Sequence, residues 1–352
     1  MNRSALRHNY NFLDKLFKDR GIEWGVVTKV LCGNELFIHE VMALGVKEVH
    51  DSRISNLEII KKLYPDVTTA YIKPPPKRSI KRIVRFADVS FNTEFATIKM
   101  LSEEAKRQGK VHRIIIMIEM GDLREGVLGE ELLDFYKSIF RLPNIDVIGI
   151  GTNLNCLYGV MPTQDKLIQL SLYKQLIEAE FGRKIPWVSG GTSVVVPLLL
   201  KRMRPMAVNH FRVGEALFFG NDLFTNRPIK GMRTDVFRLH VEIIELTRKP
   251  TVPIGYMGQN VDGRTFDLEG QDYGAMADRA IGDIGLLDIN PDNLVPEDKE
   301  VRVIEASSDM LILDPGGRKQ QYQVGDTLPF RMTYMGALRL LSSSYIGKEV
   351  ID

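Results

Sequence analysis

Cysteine is nearly absent: Cys32 and Cys156 are the only two in 352 residues. That excludes a disulfide scaffold and fits a reducing compartment such as the cytosol. Charge of one dominant sign is also missing, since 47 Lys+Arg against 45 Asp+Glu leave a net +2. No broad field therefore draws the chain to nucleic acid or to an anionic membrane. No apolar run approaches the ~20 residues of a membrane span, and residues 1–10 lack the apolar centre of a signal peptide. The expectation is a cytoplasmic protein with no nucleic-acid or membrane partner. Six histidines are present, none at metal-ligand spacing, and His-Glu-x-x-His, Cys-x-x-Cys and Gly-x-Ser-x-Gly do not occur. Zinc hydrolase and serine esterase chemistry lose their support, and no metal is expected.

The composition is 44% apolar and 26% charged, which suits a folded globular chain and not a disordered one. The length suggests about two domains. To about residue 215 the chain repeats one theme, a short apolar run followed by a helical pattern. Eight runs read as strands, at 24–30, 47–51, 68–73, 88–92, 112–119, 145–152, 185–190 and 207–213. Helical patterns between them include Asn34–Leu44, Ile54–Leu63, Glu94–Gln108, Glu130–Phe140 and Thr163–Phe181. Eight such units in about 200 residues point to an α/β fold with an N-terminal TIM-type (β/α)8 barrel, a doubly wound sheet being the alternative. The basic cluster from Lys77 to Arg85 has spacings of three and four and reads as one solvated helical face. Beyond residue 230 the texture changes. Val236–Glu245 alternates apolar and polar, and Gly/Pro/Asp turns separate short apolar runs at 301–304, 310–313 and 328–334. We read residues 1–230 as the barrel domain and 231–352 as a mostly-β C-terminal domain.

Barrel interiors are apolar and catalytic groups sit at the C-terminal ends of the strands, so a polar residue ending a strand carries information. Lys29 is read as ending the first strand. A buried ammonium is costly, and a covalent bond to an aldehyde is one way to relieve it; a lysine reaching past the strand into water is the other reading. Ser189-Gly190-Gly191-Thr192-Ser193 follows strand seven, and Arg212-Val213-Gly214-Glu215 overlaps the end of strand eight. Loops after strands seven and eight of such barrels often hold phosphate, because backbone N–H groups and hydroxyls can converge there. In a closed barrel strand eight neighbours strand one. The lysine and the phosphate turns would then lie side by side, which suits pyridoxal 5′-phosphate. Near strands five and six, Arg124 could grip a substrate carboxylate and Asn153 could tether the cofactor ring.

These segments, with Val27 to Asn34, Asp51-Ser52-Arg53, Gly121 to Gly126, Gly151-Thr152-Asn153-Leu154, Arg279-Ala280-Ile281 and Ala306 to Asp309, make the chain similar to the alanine racemase superfamily. The similarity runs over nearly its full length, and the chain resembles the ornithine racemase branch most. The resemblance implies amino-acid racemisation on pyridoxal 5′-phosphate. Lys29 would hold the cofactor and serve as one of two bases, and Arg212 would face the pyridine nitrogen. Asn153 would stand where alanine racemases carry histidine, and Arg124 would lie near the substrate carboxylate. Ser189, Gly191, Thr192, Gly214, Glu215 and Tyr334 would contact the phosphate.

The second base implied is Tyr256, reaching a partner subunit's site. A planar intermediate needs a base on each face, so the resemblance implies a homodimer with shared active sites. Gly33 stands where alanine racemases have a phosphate-binding tyrosine, which directs attention from alanine to ornithine or another diamino acid. Asp309 is a candidate partner of a distal ammonium, a turn-capping carboxylate being the other reading. Asp283, in a segment that resembles alanine racemases more than the ornithine branch, is a further substrate-binding candidate. Other readings are an alanine or broad-specificity racemase, a pyridoxal-phosphate decarboxylase, and a non-catalytic pyridoxal-phosphate carrier. The carriers end after the barrel.

Overall fold

The computed structural model describes every residue except 202, 204, 226, 261, 262, 264 and 271, together with the side chains of 318 and 319. Asn226, in the Thr225–Pro228 stretch read from the sequence as the domain boundary, and Asp262, in a turn read from the sequence, lie outside the described residues. The chain divides into two compact units: residues 2–236 with 350–352, and residue 1 with 237–349.

In the first unit, eight parallel strands close a barrel in sequence order. They are β1 (Glu23–Val27), β2 (Glu48–Asp51), β3 (Thr68–Tyr71), β4 (Val89–Asn92), β5 (His112–Met117), β6 (Ile145–Gly151), β7 (Trp187–Ser189) and β8 (His210–Val213). Each lies within the apolar run expected of it or one residue from it. β8 closes on β1 with Gly25 beside Arg212 and Val26 beside Val213. The surrounding helices are α1 (Arg3–Lys18), α2 (Glu35–Met42), α3 (Ile54–Leu63), α4 (Ile80–Phe86), α5 (Phe95–Arg107), α6 (Leu132–Ile139), α7 (Gln164–Phe181), α8 (Val196–Leu200) and α9 (Glu215–Phe219). Their outward charges include Arg82, which pairs with Glu58 on α3.

Helix α1 precedes the first strand. Asn2 caps it by accepting from Ala5 N, and Ala5, Leu6, Leu13, Leu16 and Phe17 form its buried face. The buried Asn9 amide donates to the carbonyls of Leu217 on α9 and Arg233. That bond pins the helix against the end of the barrel sequence. The short pair β9 (Asn221–Asp222) and β10 (Arg227–Pro228) follows α9.

The second unit is a six-stranded antiparallel sheet. Its strands are β11 (Leu239–Pro250), β12 (Met276–Gly282), β13 (Leu294–Pro296), β14 (Arg302–Ala306), β15 (Leu311–Asp314) and β16 (Thr327–Met332), followed by helix α10 (Tyr334–Ser342). Alternation along β11 buries Leu239, Val241 and Ile243 in a core with Leu311, Leu313, Leu328 and Phe330. The run read as a strand to residue 334 ends at Met332. Thr333 turns the chain by accepting from Gly336 N at 3.2 Å, an N-cap that makes Tyr334 the first residue of α10.

Candidate active site

Lys29 does not end the first strand. β1 stops at Val27, Thr28 N makes a last bond to His50 O at 2.9 Å, and Lys29 opens a 3₁₀ turn, Lys29–Leu31. The sequence reading missed this because an apolar run continues through Val30 and Leu31, which are buried in the turn and not in the ladder. The turn is braced from β2. Asp51 is buried and accepts from Thr28 Oγ1 at 3.0 Å, Asn56 Nδ2 at 3.2 Å and Arg53 N at 2.8 Å. Burial pushes its carboxyl up to about 6 against those hydrogen bonds and the nearby Lys29 charge. Glu215, at the start of α9, is also pushed up by burial, to about 7, with Lys29 pulling the other way. Two carboxyls and one amine thus surround the C-terminal end of β1.

Arg212 is buried on β8 and points across the barrel. Its guanidinium lies 5.2 Å from the Phe91 ring of β4, and Nη2 donates to Thr152 O at 2.8 Å, just beyond β6. Neither strand is adjacent to β8, so both contacts cross the interior. Nη1 donates to the Ser189 hydroxyl. Burial lowers the guanidinium to about 10, with the charges of Glu125 and Glu48 among the influences opposing it. The expectation of an apolar interior is therefore corrected. Ala70, Val89, Phe91, Ile115 and Met117 fill one side, while Glu48, His50, His210, Ser189 and Arg212 make the other side polar.

Above β7 and β8, Gly191 has φ +137, and no heavy atom lies within 4 Å of where its side chain would point. Gly214 packs directly on β1, since a Cβ there would sit 2.9 Å from Val27 O. Ser193 Oγ accepts from Gly214 N at 3.2 Å and Ala216 N at 3.1 Å. The two turns are therefore bound to each other beside β1, with Thr192 half-buried between them. The Ser189 hydroxyl is turned to Arg212 and to His210 Nδ1, the latter at 2.8 Å.

Arg124 and Asn153 come together. The Asn153 amide oxygen, in the orientation its neighbours require, accepts from Arg124 Nη2 at 3.0 Å. Glu125 forms an ion pair with the same guanidinium and, with other anions, outweighs burial to raise its proton affinity. Asp122 builds the loop around them, accepting from the backbone N–H groups of Cys156, Leu157, Tyr158 and Val160 at 3.0 to 3.2 Å.

The remaining candidates lie in the second unit and are described within it. Tyr256 is fully exposed on the segment between β11 and β12, beside the exposed Ile254. Asp283 directly follows β12. Asp309 lies in the turn between β14 and β15, where it accepts from Ser308 Oγ at 3.1 Å. The two loops are joined, because Leu286 N and Leu287 N donate to the carbonyls of Ser307 and Ser308 at 2.9 and 2.8 Å. Sequence reading missed Glu48, His50 and His210 altogether. The available signal was a polar residue at every second position, Glu48/His50 and His210/Arg212, in strands whose inward face should be apolar.

The family described as alanine racemase, N-terminal domain, matches residues 1–222. Ornithine racemase of Acetoanaerobium sticklandii is 36% identical over 349 residues, 99% of this chain and 98% of that protein. Lysine racemase of Thermotoga maritima is 32% identical over 348 residues, 99% and 96% of the two. Among solved structures, alanine racemase from Bartonella henselae with covalently bound pyridoxal phosphate has a TM-score of 0.73 at 14% identity, covering 100% of this chain and 98% of that one. At that identity the likeness concerns the fold. Among the described residues, no helix is long and apolar enough to cross a membrane.

Proposed function

The chain belongs to the alanine racemase family, and from that membership we propose a pyridoxal 5′-phosphate-dependent racemase that interconverts the L- and D-forms of ornithine or another diamino acid. The observation that carries the reading is a juxtaposition. Lys29 leads the turn after β1, and the buried cation Arg212 lies on β8, the strand hydrogen-bonded to β1. The residues fit the cofactor. Open space above Gly191 and the joined turns at Ser193 and Gly214 suit a phosphate. The buried Thr152 Oγ1, with no partner among the described residues, marks a polar wall beside Arg212. The two curated relatives, named for diamino acids, support the substrate class.

When bound, the cofactor draws electrons from the substrate's Cα and makes its C–H bond acidic. Lys29 would hold the cofactor and move a proton on one face of Cα. Arg212 would face the ring nitrogen, where a permanent cation disfavours protonation and limits side reactions such as transamination. Gly191, Thr192, Gly214, Glu215 and Tyr334 would hold the phosphate, with Ser189 behind them. Arg124, oriented by Asn153 and Glu125, would take the substrate carboxylate. Asp309 would receive the distal ammonium, and Asp283 would line the substrate's place. Tyr256 would serve the second face from a partner subunit. Its complete exposure beside Ile254 supports a surface that a second copy covers. A count of only two cysteines in the chain supports a cytoplasmic setting.

The test is to incubate the purified protein with each L-amino acid in heavy water and follow α-deuteration and enantiomer ratio. Exchange with racemisation, greatest for ornithine or lysine, is expected. Carbon dioxide release would replace the proposal with a decarboxylase. A colored dimer that leaves every amino acid unchanged would replace it with a carrier.

A further inference from the structure

Below Arg212 the barrel interior holds a continuous line of hydrogen bonds that the reaction does not use. Arg212 Nη1 donates to Ser189 Oγ, Ser189 Oγ meets His210 Nδ1 at 2.8 Å, and His210 Nε2 meets Glu48 Oε1 at 2.8 Å. All four residues are buried. Hydrogen counting fixes the direction. A guanidinium only donates, so Ser189 accepts from it and must donate its own hydrogen to His210 Nδ1. The proton of the neutral ring is then on Nε2 and goes to Glu48. An imidazolium would donate at Nδ1 and leave the serine hydrogen with no acceptor in this line. The chain therefore runs one way, from a buried cation to a buried carboxylate. His50 Nε2 shares the same Glu48 oxygen. Burial raises Glu48's carboxyl, while the hydrogen bonds it receives from the two rings favour its ionised form and the group is held below the usual carboxylate range.

The line must cross β1, which lies between β2 and β8 in the ladder. It crosses at Gly25. A Cβ on Gly25 would lie 2.2 Å from the His50 ring and 2.9 Å from Glu48 Oε1. Any side chain there closes the passage.

We propose that Glu48, His210 and Ser189 are positioning residues for Arg212, and that Gly25 is the opening that lets them reach it. Trp187, stacked on His210 with ring centroids 4.5 Å apart, fixes the plane of that ring. The charged and titratable groups facing Arg212 include Glu48 and His50 from β2, Arg124 and Glu125 beyond β5, and Cys156 beyond β6. Of the two carboxylates among them, Glu48 is the one that the hydrogen-bonded line joins to the guanidinium. Glu48 sets both the orientation of Arg212 and the field it casts on a ligand above it. This inference rests on the reading that Arg212 faces the ring of pyridoxal 5′-phosphate.

The experiment titrates the visible absorption of the full-length protein loaded with pyridoxal 5′-phosphate, and measures cofactor affinity, in wild type, Glu48→Gln, Ser189→Ala and Glu104→Gln. Glu104 is a buried carboxylate outside the line, paired with Arg107. Removing the Glu48 charge is expected to lower the pH midpoint of the band by about one unit, because the remaining positive field disfavours a bound proton. Ser189→Ala should shift it the same way by less. Cofactor affinity should change by no more than about tenfold, the lysine and phosphate contacts remaining. Glu104→Gln should titrate as wild type. If Glu48→Gln and Ser189→Ala fold, load and keep the wild-type midpoint, the line only packs the barrel and the proposal is overturned. If Glu48→Gln does not fold, Ser189→Ala, which removes a single hydroxyl, decides by the same criterion. One equivalent of zinc, whose removal unfolds the protein, would overturn it in favour of a Glu48–His50–His210 metal centre. A wild-type protein with no visible band would instead remove the cofactor reading itself.

Discussion

Arg212 Nη2 donates to Thr152 O at 2.8 Å, which ties a buried cation on β8 to the chain just beyond β6, across the interior from its own backbone. A lysine cannot reproduce this fork. Arg212→Lys is expected to leave the Thr152 carbonyl or the Ser189 hydroxyl unpaired, at about 1–3 kcal/mol of stability by urea denaturation. Racemisation should fall by about a hundredfold or more. Unchanged turnover would remove Arg212 from the site.

Gly25→Ala tests the close approach at the first strand. The added methyl would overlap the His50 ring, and overpacking of this kind costs about 1–3 kcal/mol. Urea midpoints of wild type and variant measure it, and equal midpoints would contradict the geometry.

Asp122→Asn should loosen the loop after β6. The carboxylate receives four backbone N–H groups. Burial raises its pKa, but these bonds outweigh burial and hold it below 3.8. A depressed folded value gives stability that is present above the unfolded value and lost as pH falls through the folded one. The variant should lose about 1 kcal/mol at neutral pH. Its deficit relative to wild type should shrink in strong acid.

Glu215 gives the opposite sign. Burial raises its carboxyl from 4.5 to about 7, so the folded state binds the proton more tightly than the unfolded one. Its contribution is complete below 4.5 and is lost as pH rises through about 7. In the cofactor-free protein, melting temperature should therefore fall over this window more in wild type than in Glu215→Gln. Parallel curves would show that the carboxyl is not held in its neutral form.

Tyr256→Phe keeps the ring and removes the phenol. The variant should bind cofactor as wild type does, yet lose Cα-proton exchange in at least one direction of racemisation. Unchanged exchange would take Tyr256 out of the mechanism.

The barrel was legible because its strands are short apolar runs such as Ile114-Ile115-Ile116, buried on both faces and separated by helical patterns. The end of β1 was misread because burial of Val30 and Leu31 continues through the turn. Helix α1 was legible but unread, its apolar positions 5, 6, 13, 16 and 17 lying on one face. Strand β12 begins Met-Ala-Asp-Arg, with no alternation to detect, and pairing with β11 makes it a strand. Arg124 and Asn153 were readable as motif residues. The line from Arg212 to Glu48 was not, because it joins residues 162 positions apart and exists only where the ladder sets β8 and β2 on either side of Gly25.

The account depends most on Lys29. The direct measurement is to reduce the pyridoxal 5′-phosphate-loaded protein with borohydride, digest it and locate the added mass by peptide sequencing. The account predicts one phosphopyridoxyl group per chain, on Lys29. A label on another lysine, or none with the cofactor present, would contradict it.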